Sequence, residues 1–420
     1  MNGLKAEVDP AEVGLDADRL RRIDDSFSRY VDDGKLAGWL VTVSRHGKLA
    51  HVSAYGQRNR EEGLPVETDT LWRIFSMTKP ITSVAAMMLY EQGALQLTDP
   101  VSKFIPAFAN LRVYTGGPDQ NPLTVPASEP MRVWHLLTHT SGLTYGFLRV
   151  HPVDAIYRAA GFEGGSAPDG MDLAQACDAW AALPLLFQPG AEWSYGVSTD
   201  VLGRVVEVAS GQSLDAFFAE RILGPLGMTD TSFFVEDGRA SRLAALYGVG
   251  PGRQLARLGA PWDNARVQPS LFSGGGGLVS TAADYHRFLQ LLLDYPGSPA
   301  GELDGVRLLS PRTVRYMGRN HLPGGLDIAT FGRPLYAESP MYGSGFGLGF
   351  AVVTDPAALK VDCSAGELSW GGAASTSFWI DQAEGITVSF FTQLIPSNAY
   401  PLRPQLRQLV YQAVVSDLHA

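Results

Sequence analysis

The stretch Phe75-Ser76-Met77-Thr78-Lys79-Pro80 decides how this chain is interpreted, and it leads into the apolar run ITSVAAMMLYEQG at residues 81–93. The spacing predicts a helix over about residues 80–93 that stops at Gly93. Residues three apart share a helical face, so the Lys79 amine can reach the Ser76 hydroxyl. Serine becomes a nucleophile when a neighbouring base removes its proton, and N–H groups at a helix start can stabilise an oxyanion. The stretch therefore indicates a nucleophilic serine, although Ser-x-x-Lys spacing alone is also common on solvated helix surfaces.

The composition and charge of the chain argue against nucleic-acid and membrane partners. The chain has 420 residues, 45% of them hydrophobic and 18% charged, as in ordinary globular proteins. A net charge of -10 without a basic cluster argues against nucleic acid. No apolar run reaches the roughly 18 residues of a membrane helix, and no secretory leader pattern is visible, so we expect no membrane partner and a cytoplasmic location. The two cysteines, Cys177 and Cys363, are expected to be free thiols.

Strand signals lie near both ends of the chain and helical signals dominate its middle. Besides the helix at 80–93, the spacing predicts helices at 16–33, 132–138, 172–183, 198–209, 213–223, 281–294 and 401–418. Strands are predicted at 39–44, 49–55, 347–354, 368–380 and 385–394, the first two as a hairpin, and loops at 114–130, 161–170 and 188–192. We therefore expect an α/β (α+β) fold with a sheet domain from residues 1–75 and 275–420. Residues 76–274 would form a mainly helical domain, with the active site in the cleft between the two.

Seven segments carry a resemblance to a known family. In chain order they read VGLDADRLRRI, SMTKPITSVAAMMLYEQGALQLTDPVSKFIP, VWHLLTHTSGL, WSYGVSTDVLGRVVEVASGQSL, GGGGLVSTAADYHRFL, YGSGFGLGF and SWGGAAST. Their content and order resemble the class C side of the β-lactamase and penicillin-binding-protein superfamily. The resemblance implies an antiparallel sheet flanked by helices, together with a mostly helical lobe.

The resemblance also implies roles for particular residues. Tyr195 would accept the Ser76 proton, because the nearby Lys79 ammonium favours a phenolate. The oxyanion donors would be the backbone N–H groups of Ser76 and of Ala373, in the motif Trp370-Gly371-Gly372-Ala373. Which of Lys79 and Tyr195 is the formal base stays open, because coupled groups titrate as a unit. Without the resemblance, the tyrosine would be read as a packing residue and the two glycines as a turn or bulge.

Two departures from the family pattern bear on the substrate. Trp370 stands where β-lactamases and transpeptidases carry a lysine or histidine that binds the substrate carboxylate, and residues 361–402 contain no Lys or Arg. Val197 stands where the β-lactamase pattern has an asparagine that contacts the substrate amide. Both changes favour an uncharged ester over a β-lactam or a peptide. The combination resembles the family VIII carboxylesterases, and Gly-x-Ser-x-Gly, which marks α/β-hydrolases, is absent from the sequence.

We therefore predict a serine carboxylesterase that hydrolyses small to medium-chain esters through an acyl-enzyme on Ser76, without cofactor or metal. His135 and His139 are four residues apart, but no third ligand motif accompanies them, so structural roles are expected. Aromatic residues in loops or glycine-rich segments are candidates for an acyl pocket: Tyr114, Tyr145, Phe147, Tyr342 and Phe346. The alternatives are β-lactam or D-amino-acid peptide hydrolysis, acyl transfer, and an inactive relative that only binds. The natural substrate, stereochemical preference and oligomeric state stay open.

Overall fold

A computed structural model describes residues 4–163, 167–259, 264–295, 297–333 and 341–415. Its strands are β1 Gly38–Arg45, β2 Lys48–Asn59, β3 Leu64–Pro65, β4 Trp72–Arg73, β5 Arg112–Gly116, β6 Leu123–Pro126, β7 Tyr247–Val249, β8 Leu255–Arg257, β9 Val279–Ser280, β10 Glu302–Leu303, β11 Val306–Arg307, β12 Ser344–Phe346, β13 Ala351–Val353, β14 Leu368–Gly371, β15 Ser377–Asp381, β16 Ile386–Phe391 and β17 Leu394–Ile395. Its α-helices are α1 Ala17–Asp32, α2 Lys79–Glu91, α3 Val133–Leu137, α4 Pro152–Ala159, α5 Leu173–Ala182, α6 Ser198–Ser210, α7 Leu214–Phe218, α8 Ala282–Leu292, α9 Pro311–Met317, α10 Ile328–Phe331, α11 Pro356–Leu359 and α12 Leu402–Tyr411.

The main sheet has eight strands in the described residues, in the order β12-β13-β14-β15-β16-β1-β2-β3. Every neighbouring pair is antiparallel. All eight residues of β1 are buried, since helices cover both faces of the sheet there. Both chain ends supply strands, and the expected antiparallel sheet flanked by helices is confirmed.

Alternating side chains fill a separate core on each face of the sheet. On one face, Trp39 packs in a cluster with α1 and α12. Helix α1 is amphipathic, buries Leu20, Ile23 and Phe27 against this face, and is capped at its start by the Asp16 carboxylate. On the other face, Leu40 belongs to the larger core built with α2 and α8.

Helix α2 is buried on all sides over most of its length, from Lys79 through Leu89. It packs against α6, and α6 in turn contacts α3 and α5. A helix buried all round needs apolar or small residues on every side, and the sequence PITSVAAMML supplies them. The lysine at its first position is therefore held inside the protein.

Most of the predicted elements are confirmed, with differences of a few residues at their ends, but two predictions were wrong. The segment 114–130, predicted as a loop, contains most of the antiparallel β5–β6 hairpin. The segment 368–380, predicted as one strand, is two antiparallel strands, β14 and β15, joined by a turn. Strands are short here, and glycine or proline within them masks the alternating pattern. Residues 164–166 of the predicted loop 161–170 and residues 416–418 of the predicted helix 401–418 lie outside the described residues, and α12 ends at Tyr411.

Cys177 is buried and Cys363 partly buried, and both are free thiols as predicted. No helix among the described residues is long and apolar enough to span a membrane. The division into a sheet domain and a helical domain stays a prediction.

Candidate active site

Ser76 lies on a tight turn that runs directly into α2. Residues Phe75–Thr78 form a 3-10 turn, and Phe75 adopts a left-handed backbone with φ of 44°. Such a conformation costs a non-glycine residue of the order of 1–3 kcal/mol, so the surrounding contacts must hold it. The Tyr285 hydroxyl provides one such contact by donating to the Met77 carbonyl at 3.0 Å. Ser76 is therefore presented, half-buried, at the start of a helix.

The structure brings together the three residues predicted to carry catalysis. The Lys79 ammonium donates to Ser76 Oγ at 3.1 Å, and the Tyr195 hydroxyl donates to the same oxygen at 2.6 Å. Tyr195 comes from the segment before α6, 119 residues from the serine. The Lys79 Nζ also lies 4.6 Å from the centre of the Tyr195 ring, close enough for a cation–π attraction. This geometry allows a proton to move between the serine and the phenol beside a fixed positive charge.

Lys79 has two further acceptors that the sequence did not reveal. Its ammonium donates to the Tyr145 hydroxyl at 3.1 Å and to the Gly275 carbonyl at 2.7 Å. With Ser76, these acceptors account for all three protons of a charged lysine. Burial raises the pKa of the Tyr145 phenol well above its ordinary value, and the Asp200 and Tyr195 charges raise it further. Tyr145 is therefore a neutral partner of the buried cation.

The Gly274–Gly277 run holds the Gly275 carbonyl against α2. A Cβ on Gly275 would lie 2.3 Å from a carboxylate oxygen of Asp200, so only glycine fits there. Asp200 accepts hydrogen bonds from the Gly275 N–H at 3.0 Å and from the Ser273 hydroxyl. Burial raises the pKa of the Asp200 carboxyl, while the Lys79 cation opposes that rise. The sequence signal that could have identified this support was the glycine run, which indicates close backbone approach.

Aromatic rings fix the position of Tyr195. Trp193 is fully buried and stacks on Tyr195, with ring planes 13° apart. The His139 ring centre lies 5.0 Å from that of Tyr195. Burial, with a contribution from the Lys79 cation, lowers the pKa of His139 well below its ordinary value, so His139 is neutral and packs as an aromatic ring. From the sheet side, the Trp370 indole N–H donates to the Tyr195 hydroxyl at 3.3 Å.

The predicted Trp-Gly-Gly-Ala motif lies at the end of β14, beside the serine turn. A Cβ on Gly372 would lie 2.5 Å from the Ile74 carbonyl oxygen, two residues before Ser76. A Cβ on Gly371 would lie 2.4 Å from a guanidinium nitrogen of Arg403. The two glycines therefore bring this strand end against both the serine turn and α12.

The other residues singled out from the sequence differ in their exposure and in their distance from the serine. Ala373 is exposed next to the site, whereas Val197, at the start of α6, is only 4% exposed within the main core. His135 accepts the Arg132 backbone N–H through Nδ1 at 3.0 Å, and burial lowers its pKa to about 4. The exposed Phe147 stacks on Tyr145, which places it beside the lysine network.

The other pocket candidates lie in two parts of the chain, one around residues 342–346 and one on the β5–β6 hairpin. Phe346 is buried and packs edge-on against Trp370. Tyr342 is exposed. Tyr114, on the β5–β6 hairpin, contacts His151 at the start of α4. In the described part of the chain, no group of three or more His, Cys, Asp or Glu side chains could hold a metal ion.

The sheet, the buried helix and the serine held between lysine and tyrosine define a hydrolase of the β-lactamase fold. The chain belongs to the β-lactamase family, whose model matches residues 23–412. The recognition from the seven sequence segments is thereby confirmed.

Relatives and a solved structure agree with this assignment. The chain is 37% identical over 377 residues to Protein Rv1367c of Mycobacterium tuberculosis, covering 88% of this chain and 89% of the relative. It is 33% identical over 428 residues to Esterase EstB of Burkholderia gladioli, covering 97% and 99%. Among solved structures, EstCE1, described as a hydrolase with promiscuous acyltransferase activity, superimposes with a TM-score of 0.78 at 27% identity and covers 94% of this chain and 99% of its own.

Proposed function

We propose that this protein is a serine carboxylesterase of the family VIII type, acting on uncharged esters of small to medium chain length. The observation that carries the proposal is the contact of Ser76 Oγ with the Tyr195 hydroxyl at 2.6 Å and with the Lys79 ammonium at 3.1 Å. The similarity to Esterase EstB, which extends over 97% of the chain, supports ester hydrolysis.

In the proposed mechanism, Tyr195 is the general base. Lys79 directs its three N–H donors at Ser76, Tyr145 and Gly275, so it has no lone pair aimed at the serine. For this step the hydrogen bond must run in the opposite sense to that in the structure: Tyr195 is deprotonated, and the Ser76 hydroxyl donates to it. Tyr195 then accepts the Ser76 proton while Oγ attacks the ester carbonyl. Tyr195 then returns the proton to the departing alkoxide. A water molecule repeats the sequence on the acyl-enzyme and releases the acid.

The tetrahedral oxyanion would be bound by the N–H groups of Ser76 and Ala373. The first N–H groups of a helical turn have no acceptor within the helix, and Ser76 occupies that position. In the described part of the chain, the Ala373 N–H donates to no acceptor. Each oxyanion donor contributes about 10²- to 10³-fold to the rate.

Preference for an uncharged ester rests on Trp370 and Arg403. The indole occupies the position of the family's substrate-binding cation and points its N–H at Tyr195. A cation does lie nearby, because Arg403 follows directly after the segment that lacks Lys and Arg. It donates from one nitrogen to the carbonyls of Gly372 and Thr376 at 3.0 and 3.1 Å, and this use leaves that nitrogen less available to a substrate carboxylate.

The test is hydrolysis of a short p-nitrophenyl ester by the purified protein and by two serine variants. Ser76→Ala should abolish turnover, whereas Ser28→Ala, a polar surface change on α1, should leave kcat/KM unchanged. Turnover retained in Ser76→Ala would overturn the nucleophile assignment. A kcat/KM for nitrocefin far above that for any simple ester would instead favour β-lactam hydrolysis.

Acyl transfer is the second candidate function, because EstCE1 is described as having promiscuous acyltransferase activity. The same acyl-enzyme would then be attacked by an alcohol in place of water. Product analysis with added short alcohols measures this partition directly. A new ester that forms in proportion to alcohol concentration would support transfer, and release of the free acid alone would exclude it for those acceptors.

A further inference from the structure

Arg403 contacts the backbone of the Trp-Gly-Gly-Ala motif from behind. It lies in the first turn of α12, and its guanidinium donates to the Gly372 carbonyl at 3.0 Å and to the Thr376 carbonyl at 3.1 Å. The Gly372 carbonyl also accepts the Ser375 N–H at 3.1 Å. This carbonyl therefore has two donors, one of them charged.

The Gly372 carbonyl and the Ala373 N–H belong to the same peptide group. Hydrogen bonds to an amide oxygen draw electron density from the nitrogen, so the N–H at the other end becomes a stronger donor. We propose that Arg403 is a positioning residue that polarises and orients the Gly372–Ala373 peptide so that the Ala373 N–H stabilises the oxyanion. The proposal rests on the esterase function above and extends it to a residue that does not touch the substrate.

The expected size follows from two magnitudes. An oxyanion donor is worth about 10²- to 10³-fold in rate, and cooperative polarisation strengthens a hydrogen bond by about 10–30%. Removing the charged donor should therefore lower kcat/KM by about 2- to 8-fold. The oxyanion exists only after attack, so the loss should appear in kcat with KM nearly unchanged.

The kinetic test compares Arg403→Met with Arg253→Met. Arg253 is a matched control, because its guanidinium also donates to a backbone carbonyl near the start of α12, that of Ala399 at 3.0 Å. Arg403→Met should lose kcat, and its affinity for a trifluoromethyl ketone, which forms a tetrahedral adduct, should weaken by the same factor. Arg253→Met should keep both values. A loss confined to KM, or equal losses in both variants, would overturn the proposal.

A double-variant cycle tests whether the effect passes through the Ala373 N–H. Ala373→Pro removes that N–H, and the Ser375-to-Gly372 hydrogen bond places Ala373 at the second position of a turn, where proline is favoured. Arg403→Met should have no further effect on kcat in the Ala373→Pro background. An equal fold-loss in both backgrounds would show a direct charge effect and overturn the proposal. Full activity of Ala373→Pro alone would instead overturn the oxyanion assignment made under the proposed function.

An NMR measurement tests the polarisation without any activity. Labelling glycine carbonyls with ¹³C and alanine amides with ¹⁵N selects the four Gly–Ala pairs of the sequence, and Ala373→Pro identifies the Gly372–Ala373 signal by its loss. In Arg403→Met this carbonyl signal should move upfield while the other three stay in place. An unmoved signal would refute the polarisation, and a moved signal without a change in kcat would refute its part in catalysis.

Discussion

Replacing Tyr145 by phenylalanine should impair catalysis through the lysine. The variant keeps the ring, which stacks on Phe147 and meets Tyr195 edge-on, and removes only the hydroxyl that accepts from Lys79. Lys79 is 1% exposed, so no solvent is at hand to replace that acceptor.

The magnitude follows from the cost of an unsatisfied buried donor. Such a group costs about 1–3 kcal/mol, and more when it is charged. If the whole cost falls on the transition state, kcat falls by about 5- to 150-fold. KM should change little, because the hydroxyl points at the lysine.

The assay is kcat and KM on a short p-nitrophenyl ester, with urea unfolding of the same samples. Tyr247→Phe is the control, since this buried phenol donates to Glu61, and neither residue contacts Ser76, Lys79 or Tyr195 through a hydrogen bond. It should lose stability and keep kcat. A kcat for Tyr145→Phe within twofold of the unmodified protein would refute the view that Lys79 depends on three acceptors.

Three further predictions concern the surroundings of the site. Trp370→Phe removes the indole donor to Tyr195. Because a neutral hydrogen bond contributes about 0.5–1.5 kcal/mol, kcat should fall by about 2- to 10-fold. An unchanged kcat would show that this hydrogen bond does not contribute to catalysis. Gly275→Ala forces a Cβ to within 2.3 Å of a carboxylate and should lower kcat by about 100-fold through misplacement of the lysine, whereas Gly238→Ala enters open space and should keep full activity. Burial raises the pKa of Asp284 to about 6, above its unfolded value, so its stabilising contribution is complete below about pH 4 and is lost as the pH rises through 6. In urea melts, Asp284→Asn should therefore gain about 3 kcal/mol relative to the unmodified protein between pH 4 and pH 7, and a constant difference would contradict this.

The sequence predicted the elements whose signals are local. Helix α1 shows regular apolar spacing, and the β1–β2 hairpin has two β-rich runs around a short turn, so both appear where expected. The contact of Ser76 with Tyr195 spans 119 residues. Only the resemblance to the family, in which the matching tyrosine is catalytic, predicts it from the sequence.

The partners of Lys79 could not be predicted in the same way. From the sequence, Tyr145 is only a candidate pocket residue, and the glycine run only part of one of the seven family segments. Their shared role arises where both segments meet the start of α2. The glycine run indicates a close backbone approach, but no local pattern shows that Lys79 is the residue approached. Arg403 lies just beyond residues 361–402, which lack Lys and Arg, and its bonds to main-chain carbonyls depend on the docking of α12.

The most direct test of the central claim is the mass of the protein after reaction with a fluorophosphonate probe. We expect one adduct, located by fragmentation at Ser76, and none in Ser76→Ala. The rate of labelling should also fall in Tyr195→Phe, because the serine then lacks its base. An adduct on another serine, or labelling that persists in Ser76→Ala, would contradict the account.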